Sequence, residues 1–129
     1  MSDIHKKRSG ASIAAEIFDI LYNKTLNNDM KWESTANDSV FQASFKNYTI
    51  ELHYSDQDSP GLDPILMIID GKGRIIDTVC ASELHGYVEN SYNKINQLYY
   101  YARRSALKAD DALIEILKEL KGEIDGGNF

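Results

Sequence analysis

Phe41-Gln42-Ala43-Ser44-Phe45-Lys46-Asn47-Tyr48-Thr49-Ile50-Glu51-Leu52-His53 reads as two strands around a two-residue turn. With Lys46-Asn47 as the loop, Phe45 faces Tyr48, Ala43 faces Ile50 and Phe41 faces Leu52, so these apolar residues share one side of the hairpin. That side is predicted to enter the core, including the Phe45-Tyr48 pair. Val40, Gln42, Ser44, Thr49, Glu51 and His53 collect on the other, wet side. A slip of one residue mixes the two sets, so the pattern selects its own register.

A second hairpin follows. Gln57 to Pro64 is a loop by its Asp, Ser, Pro and Gly content. Beyond it, Ile65-Leu66-Met67-Ile68-Ile69 and Ile75-Ile76-Asp77-Thr78-Val79 flank Asp70-Gly71-Lys72-Gly73, which fits a three-residue loop with Gly73 in the left-handed bulge position. Regular alternation places Ile65, Met67, Ile69, Ile75, Asp77 and Val79 on one face, and Leu66, Ile68, Ile76, Thr78 and Cys80 on the other. Both faces are apolar, so both require cover.

The flanking segments change period. From Ser12, a candidate N-cap, the residues Ile13, Ile17, Ile20 and Leu21, with Ala14 and Phe18 alongside, recur at helical spacing until Asn27-Asn28. Lys31 to Thr35 alternates weakly and reads as a short first strand. The helical period returns from about Tyr87 through Val88, Tyr92, Ile95, Tyr99, Ala102 and Ala106. Asp110 then opens a last helix with the stripe Leu113, Ile116, Leu117 and Leu120, closed by Gly122. The expected fold is α+β: an N-terminal helix, a five-stranded antiparallel meander and two C-terminal helices. Residues 1–10, with His5-Lys6-Lys7-Arg8, read as a flexible basic tail, and 11–129 as a single domain.

Composition narrows the classes of function. The 129 residues can bury a core without disulfide staples, and 43% hydrophobic with 26% charged residues is ordinary for a globular domain. Fourteen Lys and Arg against twenty Asp and Glu give a net charge of −6, which argues against the phosphate backbone or an anionic membrane as the main partner. Cys80 is the single cysteine and has no internal disulfide partner. The longest apolar run, Ile65 to Ile69, is far short of the roughly twenty residues of a membrane span. With no secretory signal pattern, the chain is expected to be cytoplasmic.

The order of a helix, a tryptophan-bearing strand, a meander and a helix written Leu98-Tyr99-Tyr100-Tyr101-Ala102-Arg103-Arg104 resembles a set of small bacterial α+β proteins with no assigned activity. The resemblance spans nearly the whole chain and implies a fold without any catalytic residue to carry over. The layout is also similar to the chaperones of type III secretion, which are small, acidic, dimeric α+β proteins. Those carry a helix between the third and fourth strands. Here that interval is Asp56 to Pro64, whose two prolines and glycine oppose a helix.

No grouping spells out a reaction. Cys80, His85 and Asp77 are the residues that could be drawn as nucleophile, base and orienting carboxylate. A cysteine ending an apolar strand, however, is more often a small buried hydrophobe. Asp56, Asp58, Gly61 and Asp63 superficially resemble a calcium loop, but a loop begun at Asp56 puts Pro60 at the fifth position and Met67 at the bidentate twelfth. His5, His53 and His85 lack a second ligand at metal-binding spacing. Asp70-Gly71-Lys72-Gly73 joins two strands and leads into no helix, so it is no phosphate loop. Lys6, Lys7, Arg8, Arg103, Arg104 and Lys108 could gather beside Tyr99 to Tyr101 as a single-strand nucleic-acid surface, against which stand the acidic total and the place of Tyr99 on the core stripe.

What remains is surface. Three consecutive tyrosines on a helix point about 100° apart and cannot all face one sheet. Tyr100 and Tyr101 beside Arg103 and Arg104 therefore form a candidate protein-binding surface, together with Ile116 and Leu120 of the last helix. The expected role is a non-catalytic protein-binding or self-associating module, acting on a protein partner or as a homodimer, with no cofactor, no nucleic acid and no membrane. The competing class is a small enzyme using Cys80 in a pocket that the linear sequence hides.

Overall fold

Five strands hydrogen-bond in sequence order into one antiparallel sheet: β1 (Glu33–Ser34), β2 (Phe41–Ser44), β3 (Tyr48–Tyr54), β4 (Pro64–Asp70) and β5 (Ile75–Val79). Helix α1 (Gly10–Leu26) precedes them. A single turn α2 (Ala81–Leu84), then α3 (Ser91–Ala106) and α4 (Ala109–Leu120), follow. The structure, a computed structural model, describes residues 9–54 and 63–122. The fold is the expected α+β arrangement, with α2 added. The Asp56 to Gly61 part of the acidic loop lies outside the described residues, and so does most of the basic tail.

Rows across the sheet show where the core sits. Phe41, Leu52, Leu66 and Val79 stand side by side in register and are all buried. The next row, Ala43, Ile50 and Ile68, is buried or partly so. Phe45 and Tyr48 come one row later, where the helices no longer reach. Their pairing is as the pattern requires, with the Phe45 amide donating to the Tyr48 carbonyl at 2.8 Å. Yet Phe45 is 45% and Tyr48 49% exposed, so this pair is outside the core. The register was legible and the extent of the cover was not.

The second hairpin departs from the alternation the sequence suggests. Gly73 takes φ 83° as its place in the turn demands. The register, however, shifts between Ile68, opposite Asp77, and Ile69, opposite Ile75. Ile76 is thus an extra residue, a β-bulge, and every residue beyond it changes face. Asp77 and Val79 join Leu66 and Ile68 on the helix-covered face, and Thr78 joins Met67 on the open face, the reverse of their expected sides.

The helices cover one face only. Helix α3 lies against β1, β2 and β4, and α1 packs beside α3. Helix α1 opens earlier than expected, at Gly10, because Ser9 and not Ser12 is the N-cap: the Ser9 hydroxyl accepts the Ser12 amide at 3.0 Å. Its buried residues are Ala15, Phe18, Leu21 and Thr25, while Ile13 and Ile20 are exposed. The apolar arc of this helix is wider than its contact, and the large ring of Phe18 takes the centre.

Trp32, buried at the entry to β1, ties the layers together. Its indole N–H donates to Thr25 Oγ1 of α1 at 2.9 Å, and its amide donates to Ser105 Oγ of α3 at 3.3 Å. Tyr99 sits edge-on to Phe41, with ring centres 5.6 Å apart, and donates its hydroxyl proton to the Ser39 carbonyl. Ser91, fully buried at the start of α3, donates to the Ala81 carbonyl at 2.9 Å. Each buried polar side chain here is matched to a partner, as a dry core requires.

Candidate functional site

Two residues, Leu107 and Lys108, separate α3 from α4. Lys108 takes the left-handed conformation, φ 53° and ψ 48°, and this breaks one helical run into two. Asp110 is not the N-cap expected of it. It lies in the first turn of α4, where with Asp111 it complements the helix dipole, and its carboxylate pairs with the Arg104 guanidinium across the elbow. The Asp110 carboxylate bonded to Arg104 raises the guanidinium's pKa further, and the charge is permanent. Arg104 also lies 5.8 Å from the centre of the Tyr100 ring, which meets Tyr101 edge-on at 5.0 Å.

These residues border a groove of about 690 Å³ between the C-terminal end of α1, the end of α3 and the start of α4. Tyr100, Tyr101 and Arg104 line it, with Leu26, Asn28 and Lys108. Both tyrosines are exposed, whereas the spacing alone requires only that the three not share one face. Of the other residues singled out in the sequence, Arg103 is exposed but does not line the groove, and Ile116 and Leu120 lie further along α4.

Helix α4 itself buries nothing. Leu113, Ile114, Ile116 and Leu117 are about half exposed and Leu120 is 79% exposed. At 100° per residue these five residues fill an arc of about 160°, wider than the strict seam of a two-stranded coil. Ile114 was missed in the sequence because it steps off the three-and-four spacing, although its 100° offset from Leu113 shows that it widens the stripe. A second apolar surface was half visible: Ile65, Met67, Ile69 and Ile75 stand on the open face of the sheet, beside Thr49, Glu51 and His53.

The residues with chemical potential are dispersed. Cys80 is the N-cap of α2, its amide donates to Glu83 Oε1 at 3.1 Å, and its Sγ lies 3.1 Å from Ser82 Oγ and 3.5 Å from Glu83 Oε1. His85 turns its ring toward Tyr92, and the Asp77 carboxylate accepts the Thr78 amide at 2.9 Å. The contacts of the three lead in different directions. His53 Nε2 rests 2.9 Å from Met67 Sδ on the open face. Among the described residues no group of three or more His, Cys, Asp or Glu side chains could hold a metal ion. Asp63 accepts from Asn96 Nδ2 at 2.6 Å.

The β4-β5 turn is closed on itself. The Asp70 carboxylate accepts the amides of Lys72 and Arg74, each at 2.9 Å, and Arg74 Nε at 2.8 Å. The Arg74 amide, with help from Lys72 and the guanidinium, holds this carboxyl below its ordinary pKa. Donors that could have met a phosphate are taken up by Asp70. On the nucleic-acid surface weighed above, Tyr99 is in the core and Arg104 is paired with Asp110. Among the described residues no helix is long and apolar enough to cross a membrane.

The chain matches no protein-family model, no curated protein and no solved structure.

Proposed function

We propose that the chain is a non-catalytic protein-binding module and that α4 is its binding element. The observation that carries this reading is that the α4 stripe buries none of its five large apolar side chains, each about half exposed or more. Single apolar residues on a surface need no explanation, but five on one 12-residue helix form a contiguous patch of the kind that marks interaction sites. The elbow supports it. Lys108 breaks the helix and the Arg104-Asp110 pair spans the break, leaving α4 where a partner can meet it. Tyr100 and Tyr101 flank the elbow with aromatic surface of the type that binding energy concentrates on. Cys80, His85 and Asp77 each make contacts with other residues and not with one another, which favours this reading over the enzyme using Cys80.

The full chain serves as bait in extracts of its source cells, alongside Ile116→Lys/Leu120→Lys. A polypeptide held by the natural chain and lost by the double variant is expected, its own copies included. Equal retention by both, or none by either, removes α4 from this role.

A further inference from the structure

We propose that the occupant of α4 is a second copy of this chain, the two α4 helices pairing antiparallel about a two-fold axis. This rests on the binding role given to α4 above and names the partner. Four observations converge on it.

First, the sheet edges are closed to a second copy. At one edge β1 is two residues long. At the other, the Ile76 bulge twists β5, Asp77 sits on the strand as a charge, and its carboxylate occupies the Thr78 amide that an added strand would need. Self-association must then use a face, and α4 is the most exposed apolar one.

Second, antiparallel pairing centred between Ile116 and Leu117 stacks the stripe into continuous layers. Leu113 meets the second copy's Leu120, and Ile116 meets its Leu117, each layer occurring twice, as a self-complementary two-fold contact requires.

Third, charge selects this direction. Asp110 and Asp111 stand at the start of the helix, and Lys118 and Lys121 at its end. Asp111 and Lys118 flank the same side of the apolar arc, about 160° and 140° around the helix from Leu113. Antiparallel pairing sets the acidic end of each helix beside the basic end of the other and opposes the two dipoles, whereas parallel pairing aligns aspartate with aspartate.

Fourth, the area is adequate but modest. Five side chains at these exposures offer on the order of 500 Å² per copy, so pairing removes at most about 1,000 Å² in all, the size of a weak, reversible interface. The dimer should therefore dissociate in the micromolar range.

Sedimentation of the full chain from about 1 to 300 µM tests this, a span that brackets micromolar affinity. The mass should rise from 14.6 kDa toward twice that value. Ile116→Lys/Leu120→Lys should stay at the single-chain mass with unchanged circular dichroism, since both side chains are exposed in one copy. Direction is read by disulfides in a Cys80→Ser background. Mixed Leu113→Cys and Leu120→Cys chains should cross-link to each other, because antiparallel pairing holds like positions about 10 Å apart, too far to bridge. Like-with-like cross-links overturn the arrangement, and so does a dimer that survives the double lysine variant. A single-chain mass throughout overturns self-pairing. If the extract experiment still yields another polypeptide, the binding role stands without it, and if not, both fall.

Discussion

Helices α3 and α4 follow one another with two residues between them, and both repeat apolar side chains at helical spacing. Helix α3 buries Ile95, Leu98, Tyr99 and Ala102 against the sheet, and α4 buries nothing. The difference is one of position: α3 reaches the row of Phe41, Leu52 and Leu66, whereas the left-handed Lys108 sends α4 away from it. An amphipathic stripe states that a helix needs an apolar neighbour, and leaves open whether that neighbour belongs to the same molecule.

Matched truncations in the two helices should differ most. Leu98→Ala should cost about 2 to 5 kcal/mol, as for other fully buried leucines. Leu117→Ala should change stability by no more than about 0.5 kcal/mol in protein dilute enough to be a single copy. Urea midpoints measure both, and similar losses would mean that α4 is packed after all.

The covered side can be probed without changing its volume. Thr25→Val removes the acceptor of the Trp32 indole N–H and leaves a buried donor unpaired, at an expected cost of about 1 to 3 kcal/mol. Thermal unfolding should show the loss, and an unaffected midpoint would deny that Trp32 ties α1 to the sheet.

The same contrast between covered and uncovered surface runs along the first hairpin. Phe45→Ala should cost no more than about 1 kcal/mol, because the ring lies past the end of the helices, instead of the larger loss its place in the pattern implies. A loss as large as that of Leu98→Ala would extend the core to the turn.

The smallest effect belongs to the exposed turn of the second hairpin. The folded chain holds the Asp70 carboxyl below its ordinary pKa, so its contribution is present above the unfolded carboxylate's pKa and is lost as pH falls through the lower folded value. The thermal midpoint of Asp70→Asn should thus lie slightly below that of the natural chain at neutral pH, and the gap should close in acid. A gap that stays constant with pH would assign it to turn geometry instead of charge.

The first hairpin was legible in full register because its wet face is polar, so only one pairing keeps the two sets apart. The second was legible as a hairpin but not in its faces. With apolar residues on both sides, the pattern carries no penalty for moving Asp77 and Val79 across, and the Ile76 bulge did so. The candidate site divides in the same way. That Tyr100 or Tyr101 must be exposed follows from three adjacent tyrosines on one helix, while exposure of both, the Arg104-Asp110 pair and the elbow at Lys108 depend on how α3 is placed and on a single left-handed residue.

By itself the sequence determined the order of elements, the register of Phe41 to Tyr54, the Gly73 turn and the amphipathic character of α4, because each follows from local periodicity or backbone preference. How far the helices reach over the sheet, on which side Asp77 and Val79 stand, and that α4 buries none of its described side chains emerge only in the folded molecule. Those outcomes depend on how much apolar surface a finite sheet face can cover, a sum over the whole molecule that no local stretch contains.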